Sequence, residues 1–121
     1  MRKVLIAEDD PMSQKYLATI VEHMGHCAII SPHGRHAWEA LCAENRFDML
    51  ITDIMMPGMD GTTLIRTLRA DQRFENLPVV AMSAYIGVGD ISGLLGVGAT
   101  WFLAKPVERA TLEEYVIRAL G

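Results

Sequence analysis

Val4-Leu5-Ile6-Ala7-Glu8-Asp9-Asp10-Pro11 reads as a strand, an acidic pair and a helix start in direct succession, and this reading decides the fold. The four apolar residues run without alternation, as a strand buried on both faces requires. Asp10-Pro11 supplies an N-cap and a first helical residue. Met12, Tyr16, Leu17, Ile20, Val21 and Met24 then follow at helical spacing, and Gly25 is placed to end that helix in a left-handed turn. Working outward, continuous apolar runs recur at residues 27–30, 49–52, 79–82 and 101–104. Helical spacing returns in Ala37, Trp38 and Leu41, in Leu64, Ile65 and Leu68, and in Leu112, Tyr115, Val116, Ala119 and Leu120. Such β/α alternation predicts an α/β domain, a parallel sheet with right-handed crossovers and helices on both faces. The first and third strands are expected to be central neighbours, with the site at their carboxyl ends.

The chain has 121 residues, which is one domain's worth, so residues 1–121 are expected to carry the whole function as a single unit. Half the residues are hydrophobic, and a chain this size buries roughly two thirds of its unfolded surface, which excludes disorder. A formal net charge of −4 offers no electrostatic footprint for nucleic acid or anionic lipid, so proteins or small ions are the expected partners. Cys27 and Cys42 form no disulfide framework, and a reducing, cytoplasmic location fits. The apolar run after Arg2 and Lys3 is too short for a signal peptide. The nearly uncharged stretch 77–104 contains Pro78, Asp90, Gly87, Gly89, Gly93, Gly96 and Gly98, so it reads as two buried strands around a weak helix rather than a membrane span.

Polar residues follow four of the five apolar runs: Glu8-Asp9, Asp53, Ser83 and Lys105. Each alone reads as a turn residue or helix cap. Together they fall at one predicted sheet edge. Three carboxylates in one crevice repel each other unless a cation sits among them, and oxygen ligands in an open site favour Mg²⁺. An ammonium and a hydroxyl at the same edge suit phosphoryl oxygens, so the set describes phosphoryl transfer to a carboxylate.

These residues bring the chain into line with a known family. Residues 4–11, Asp53-Ile54-Met55-Met56-Pro57-Gly58-Met59-Asp60-Gly61, Met82-Ser83-Ala84 and Gly98-Ala99-Thr100-Trp101-Phe102-Leu103-Ala104-Lys105-Pro106 occur in the order and spacing of the receiver domain of two-component response regulators, which the whole chain resembles. The resemblance implies a flavodoxin-like, doubly wound five-stranded sheet of order 2-1-3-4-5. It implies that Asp53 is the phosphoacceptor, supplied by the phosphohistidine of a sensor histidine kinase or a histidine phosphotransfer protein. Asp9 and Asp53 would ligate Mg²⁺ directly, the Met55 backbone carbonyl would add a ligand, and Glu8 would act through water. Lys105 would pair with the phosphoryl group, Ser83 would hydrogen-bond it, and Lys105-Pro106 would be a cis peptide. On phosphorylation Ser83 would draw the following loop inward and Phe102 would turn into the vacated space, changing the surface around the fifth strand and the helical segment before it. Plain core packing is the other reading of Phe102. The side chains expected to flank the hydrolytic water, Met55 and Tyr85, carry no group to orient it, so slow self-dephosphorylation is expected.

Glu8 and Ser83 stand where Asp and Thr are more frequent in that family, and Phe102 stands where many members carry Tyr, which excludes a switch ending in a Tyr hydrogen bond. Five glycines in residues 86–98, where the family has a fourth helix, each cost a helix interior about 1 kcal/mol, so that helix is expected to be short or poorly ordered. His23, His26, Cys27, His33 and His36 have paired H-x-x-H spacing, but they spread over a helix end, a strand and a loop and read as solvated histidines. Gly87-Val88-Gly89 with Gly93 is a poor dinucleotide loop, because the third glycine is misplaced and the pattern follows the fourth strand. Cys42 reads as core, and Trp101 as either packing or partner surface. An aspartyl-phosphate phosphatase would want a second Asp two residues after the nucleophile, where this chain has Met55. A signalling module is therefore preferred to an enzyme acting on a separate substrate. An unphosphorylated or flavin-binding α/β module is the remaining alternative, distinguished by a yellow chromophore and by no Mg²⁺-dependent response to a small phosphodonor. With Gly121 directly after the last helix, either a stand-alone regulator or a domain of a hybrid kinase is expected.

Overall fold

In the computed structural model of the chain, residues 2–44, 46–84, 93 and 95–121 are described. The first strand, β1 (Lys3–Ala7), runs into α1 (Pro11–His23), followed by β2 (Cys27–Ser31), α2 (Gly34–Glu44), β3 (Met49–Asp53) and α3 (Gly61–Arg69). A single 3-10 turn at Gln72–Phe74 leads to β4 (Val79–Ser83), and β5 (Trp101–Ala104) precedes the C-terminal helix, here α4 (Arg109–Leu120). The five strands are parallel in the order β2-β1-β3-β4-β5. The expected fold class is therefore the observed one.

Pleating divides the apolar runs between two cores, which is why they do not alternate with polar residues. Leu5, Ala7, Leu50, Val79 and Ala81 face Ala37 and Leu41 of α2 and Leu64, Ile65 and Leu68 of α3. Val4, Ile6, Met49, Ile51, Val80 and Met82 face Leu17, Ile20 and Val21 of α1 and Leu112, Val116 and Leu120 of α4. Local chemistry sets the helix starts. Asp10 caps α1 by accepting from the Ser13 N–H at 2.9 Å, with Pro11 in the first turn, and Asp60 caps α3 by accepting from Thr63 N–H at 2.8 Å. Gly25 has φ 88°, the left-handed conformation its place after α1 calls for.

Three strands run one residue past their apolar runs, β2 to Ser31, β3 to Asp53 and β4 to Ser83. Asp53 pairs in register with Met82, and Ser83 with Ala104, so these polar residues end strands rather than follow them. The 3-10 turn was not anticipated, since three residues are too few to show a periodicity. Nor was the half-buried Arg69, which donates to the carbonyls of Gly98 at 2.9 Å, Phe74 at 2.6 Å and Leu77 at 2.7 Å and ties the end of α3 to the chain entering β4 and β5. Tyr85, and residues 86–92 and 94 of the stretch 86–98 in which a weak helix is expected, lie outside the described residues. No helix among the described residues is long and apolar enough to cross a membrane.

Candidate functional site

The carboxyl ends of β1, β3, β4 and β5 bring Glu8, Asp9, Asp53, Ser83 and Lys105 to one edge of the sheet. Glu8 follows β1 directly. Its backbone is pinned twice, because its N–H donates to the Ser31 carbonyl at 3.0 Å and its own carbonyl accepts from Gln14 Nε2 at 2.7 Å. Glu8 is fully buried, Asp53 and Ser83 are 5% exposed, and Asp9 is exposed. Carboxylate oxygens of Glu8, Asp9 and Asp53 lie within 4.8 Å of one another.

One cation serves two of these carboxylates. Lys105 Nζ donates to Glu8 Oε1 at 2.8 Å and to Asp53 Oδ2 at 2.7 Å. The Met55 backbone N–H donates to Asp53 Oδ1 at 3.1 Å, so both Asp53 oxygens are held. Glu8 Oε2 is buried with no hydrogen-bond partner. Burial and, after it, hydrogen bonding with Asp53 push the Glu8 carboxyl up from 4.5 to about 7, and Lys105 offsets this only in part. For Lys105, burial disfavours the charge, yet its hydrogen bonds to Asp53 and Glu8 raise the ammonium's pKa above its ordinary value.

An unpartnered buried oxygen beside a three-carboxylate cluster fits a divalent cation with hard oxygen ligands. Among the described residues this cluster contains no histidine or cysteine, and the His/Cys signal separates in space. His36 Nδ1 meets the buried Ser31 hydroxyl at 2.8 Å, while His23 Nδ1 meets Arg109 Nη2 at 3.2 Å.

The loops that carry the site are packed backbone to backbone. The Gly61 N–H donates to the Ile54 carbonyl at 3.0 Å, and a Cβ on Gly61 would collide with the Asp53 carbonyl oxygen, so only glycine lets α3 start against the end of β3. A Cβ on Gly34 would likewise strike the Met59 carbonyl, which locks the β2–α2 connection onto the loop after β3. Gly58 has φ 74° in the same loop. The Lys105-Pro106 peptide is cis.

Of the other residues singled out, Phe102 is half-buried against the core beneath α2 and α3. Trp101 points to the opposite face and stacks on Tyr115 with ring centroids 5.2 Å apart. Cys42 and Cys27 are free thiols, and Cys42 Sγ accepts from Arg73 Nη2 at 3.6 Å rather than filling the core. Met55, bonded to Asp53, is 72% exposed, and Met12 in the first turn of α1 is 82% exposed. An apolar groove beside the site is lined by Met12, Tyr16, Met82, Lys105 and Val107, with Tyr16 Oη donating to the Val107 carbonyl at 3.0 Å.

Residues 4–117 match the model of the response regulator receiver domain. Chemotaxis protein CheY1 of Helicobacter pylori is 29% identical over 120 residues, covering 98% of this chain and 97% of that protein. Among solved structures, chemotaxis protein CheY4 of Vibrio cholerae superposes with a TM-score of 0.91 at 26% identity and covers 99% of both chains. The receiver domain of a sensor histidine kinase from Pseudomonas aeruginosa PAO1, described with a magnesium ion coordinated in its active-site cleft, superposes with a TM-score of 0.87 at 27% identity, covering 98% of this chain and 96% of that one. Receiver domains bind Mg²⁺ at an acidic site, and Glu8, Asp9 and Asp53 form such a cluster here. With fold, acidic cluster and matched length in agreement, the chain belongs to the response regulator receiver domains, the signalling modules of two-component systems.

Proposed function

We propose that Asp53 is the phosphoacceptor of this receiver domain, and that its donor is the phosphohistidine of a sensor histidine kinase or a histidine phosphotransfer protein. One observation carries the reading: Lys105 alone bridges the buried Glu8 and Asp53 carboxylates, and leaves Glu8 Oε2 without a partner. A structural ion pair has no use for an unsatisfied buried carboxylate oxygen, whereas a site awaiting a cation and an anion together does.

In the transfer an Asp53 oxygen attacks phosphorus, the phosphorus–nitrogen bond of the donor breaks, and its electron pair returns to the imidazole. The product is an acyl phosphate on Asp53. Asp9, Asp53 and the Met55 carbonyl would hold Mg²⁺, with Glu8 acting through water, and the bound ion would supply the positive charge that neutralises the arriving phosphoryl oxygens. Lys105 can release Glu8 to the metal and pair with the phosphoryl group, while the Ser83 hydroxyl at the end of β4 donates to another of its oxygens. Drawing Ser83 inward moves the chain after β4, and Phe102, on the strand beside it, turns into the space left. Donor docking uses the exposed apolar rim of Met12, Tyr16 and Met55 around the crevice.

The test is transfer from a phosphorylated histidine kinase. The label should move to the wild-type chain only with Mg²⁺ and should not move to Asp53→Asn. Label on Asp53→Asn at the wild-type level would remove Asp53 as the acceptor.

A further inference from the structure

The chain has eight methionines, and their burial is uneven. Met49 and Met82 are fully buried, Met56 is 8% exposed, and Met24 and Met59 are half-buried. Among the described residues the two methionines that stand largely in solvent are Met12 and Met55; Met55 is bonded through its N–H to Asp53, and Met12 lines the groove it shares with Lys105. Oxidants that act on accessible thioethers are therefore directed to the rim of this site. The two differ in one respect. Met55 donates its backbone N–H to Asp53 Oδ1 at 3.1 Å, which ties its sulfur within one side-chain length of the carboxylate; Met12 makes no such bond.

We propose that Met55 is an oxidation site whose sulfoxide speeds loss of the phosphoryl group from Asp53, so that peroxide shortens the signal. This rests on Asp53 being the acceptor. In the modification a thioether lone pair attacks one peroxide oxygen, the O–O bond breaks, and a sulfoxide and water form; sulfur is oxidised and peroxide oxygen is reduced. The thioether is a weak hydrogen-bond acceptor, whereas the sulfoxide oxygen is a strong, polar one on a side chain of the same reach. Hydrolysis of an acyl phosphate needs a water held in line with phosphorus, and a sulfoxide at Met55 supplies an acceptor that can hold one. Because Met55 is solvent-exposed, its oxidation disturbs no core packing, unlike oxidation of Met49 or Met82.

The experiment treats the full chain briefly with dilute hydrogen peroxide and maps oxidation by peptide mass spectrometry. Treated and untreated samples are then loaded from acetyl phosphate with Mg²⁺, the donor is removed, and phosphate release is followed in wild type, Met12→Leu and Met55→Leu. Met12 and Met55 should oxidise ahead of Met49, Met56 and Met82. Oxidation should shorten the phosphoryl half-life about threefold or more in wild type and Met12→Leu, and methionine sulfoxide reductase should restore it. Met55→Leu should show the same half-life before and after peroxide. An unchanged half-life in wild type with Met55 oxidised, or equal acceleration in Met55→Leu, would overturn the proposal. Failure of the untreated protein to carry phosphate on Asp53 would instead overturn the proposed function, and this coupling with it, before any peroxide is added.

Discussion

Lys105 Nζ donates to both buried carboxylates, Glu8 and Asp53, and removing it would leave that pair without its cation. Breaking such a pair costs about 3 kcal/mol or more. Lys105→Ala should therefore lower metal-free stability by that order in urea unfolding. Mg²⁺ should recover most of the loss, because a divalent ion neutralises the same carboxylates. No recovery with Mg²⁺ would show that the loss lies elsewhere. Glu8 gives a pH signature of its own. Its carboxyl is raised from 4.5 to about 7 in the folded protein, so the folded state holds a proton that the unfolded state releases across that window. Metal-free stability should fall as pH rises from about 4.5 to about 7, by roughly 3 kcal/mol in total. Below pH 4.5 both states are protonated and the contribution is flat. Urea midpoints against pH would show the slope, and Glu8→Gln should remove it. The positions of Glu8, Asp53 and Lys105 were legible in the sequence because a parallel sheet places all strand ends at one edge. Their pairing was not, since which oxygen Lys105 takes and which it leaves depends on side-chain geometry that spacing does not encode.

At the scale of elements, the contacts that position the site are made by backbone. Gly61 lets α3 begin directly on the Asp53 carbonyl, so Gly61→Ala should push the helix off the end of β3. A loss of about 1 to 3 kcal/mol is expected, with weaker Mg²⁺ binding measured by calorimetry. Gly96→Ala is the comparison, because a Cβ there meets no described residue within 4 Å. That variant should leave both properties unchanged or gain a few tenths of a kcal/mol. Equal behaviour of the two variants would contradict the close approach. Strand and helix identities followed from continuous apolar runs and helical spacing, and cap residues such as Asp10 marked where they begin. The extension of β3 and β4 to Asp53 and Ser83 did not follow, because ladder hydrogen bonds use the main chain and are indifferent to side-chain polarity. Arg69 escaped for a related reason: its partners are carbonyls of Gly98, Phe74 and Leu77, and a carbonyl has no signature in the amino-acid sequence.

For the whole molecule, the strand order puts Asp53, the proposed acceptor, at the centre and the candidate switch on the neighbouring strands. Asp53 ends β3, Ser83 ends β4 one strand away, and Phe102 lies on β5 opposite Ala81. A pull on Ser83 should therefore reach Phe102 across the β4–β5 pairing. Ser83→Ala should still take up phosphate from acetyl phosphate but lose the chemical-shift changes at Phe102 that Mg²⁺ and beryllium fluoride produce in the wild type. Retention of those changes would place the trigger outside Ser83. All of this depends on Asp53 being the residue that carries the phosphoryl group. Intact-mass spectrometry after incubation with acetyl phosphate tests that directly. The account predicts a gain of one phosphoryl group on the wild-type chain, absent without Mg²⁺, mapped to the peptide holding Asp53 and missing from Asp53→Asn. A Mg²⁺-dependent phosphoryl gain of wild-type extent on Asp53→Asn would contradict it.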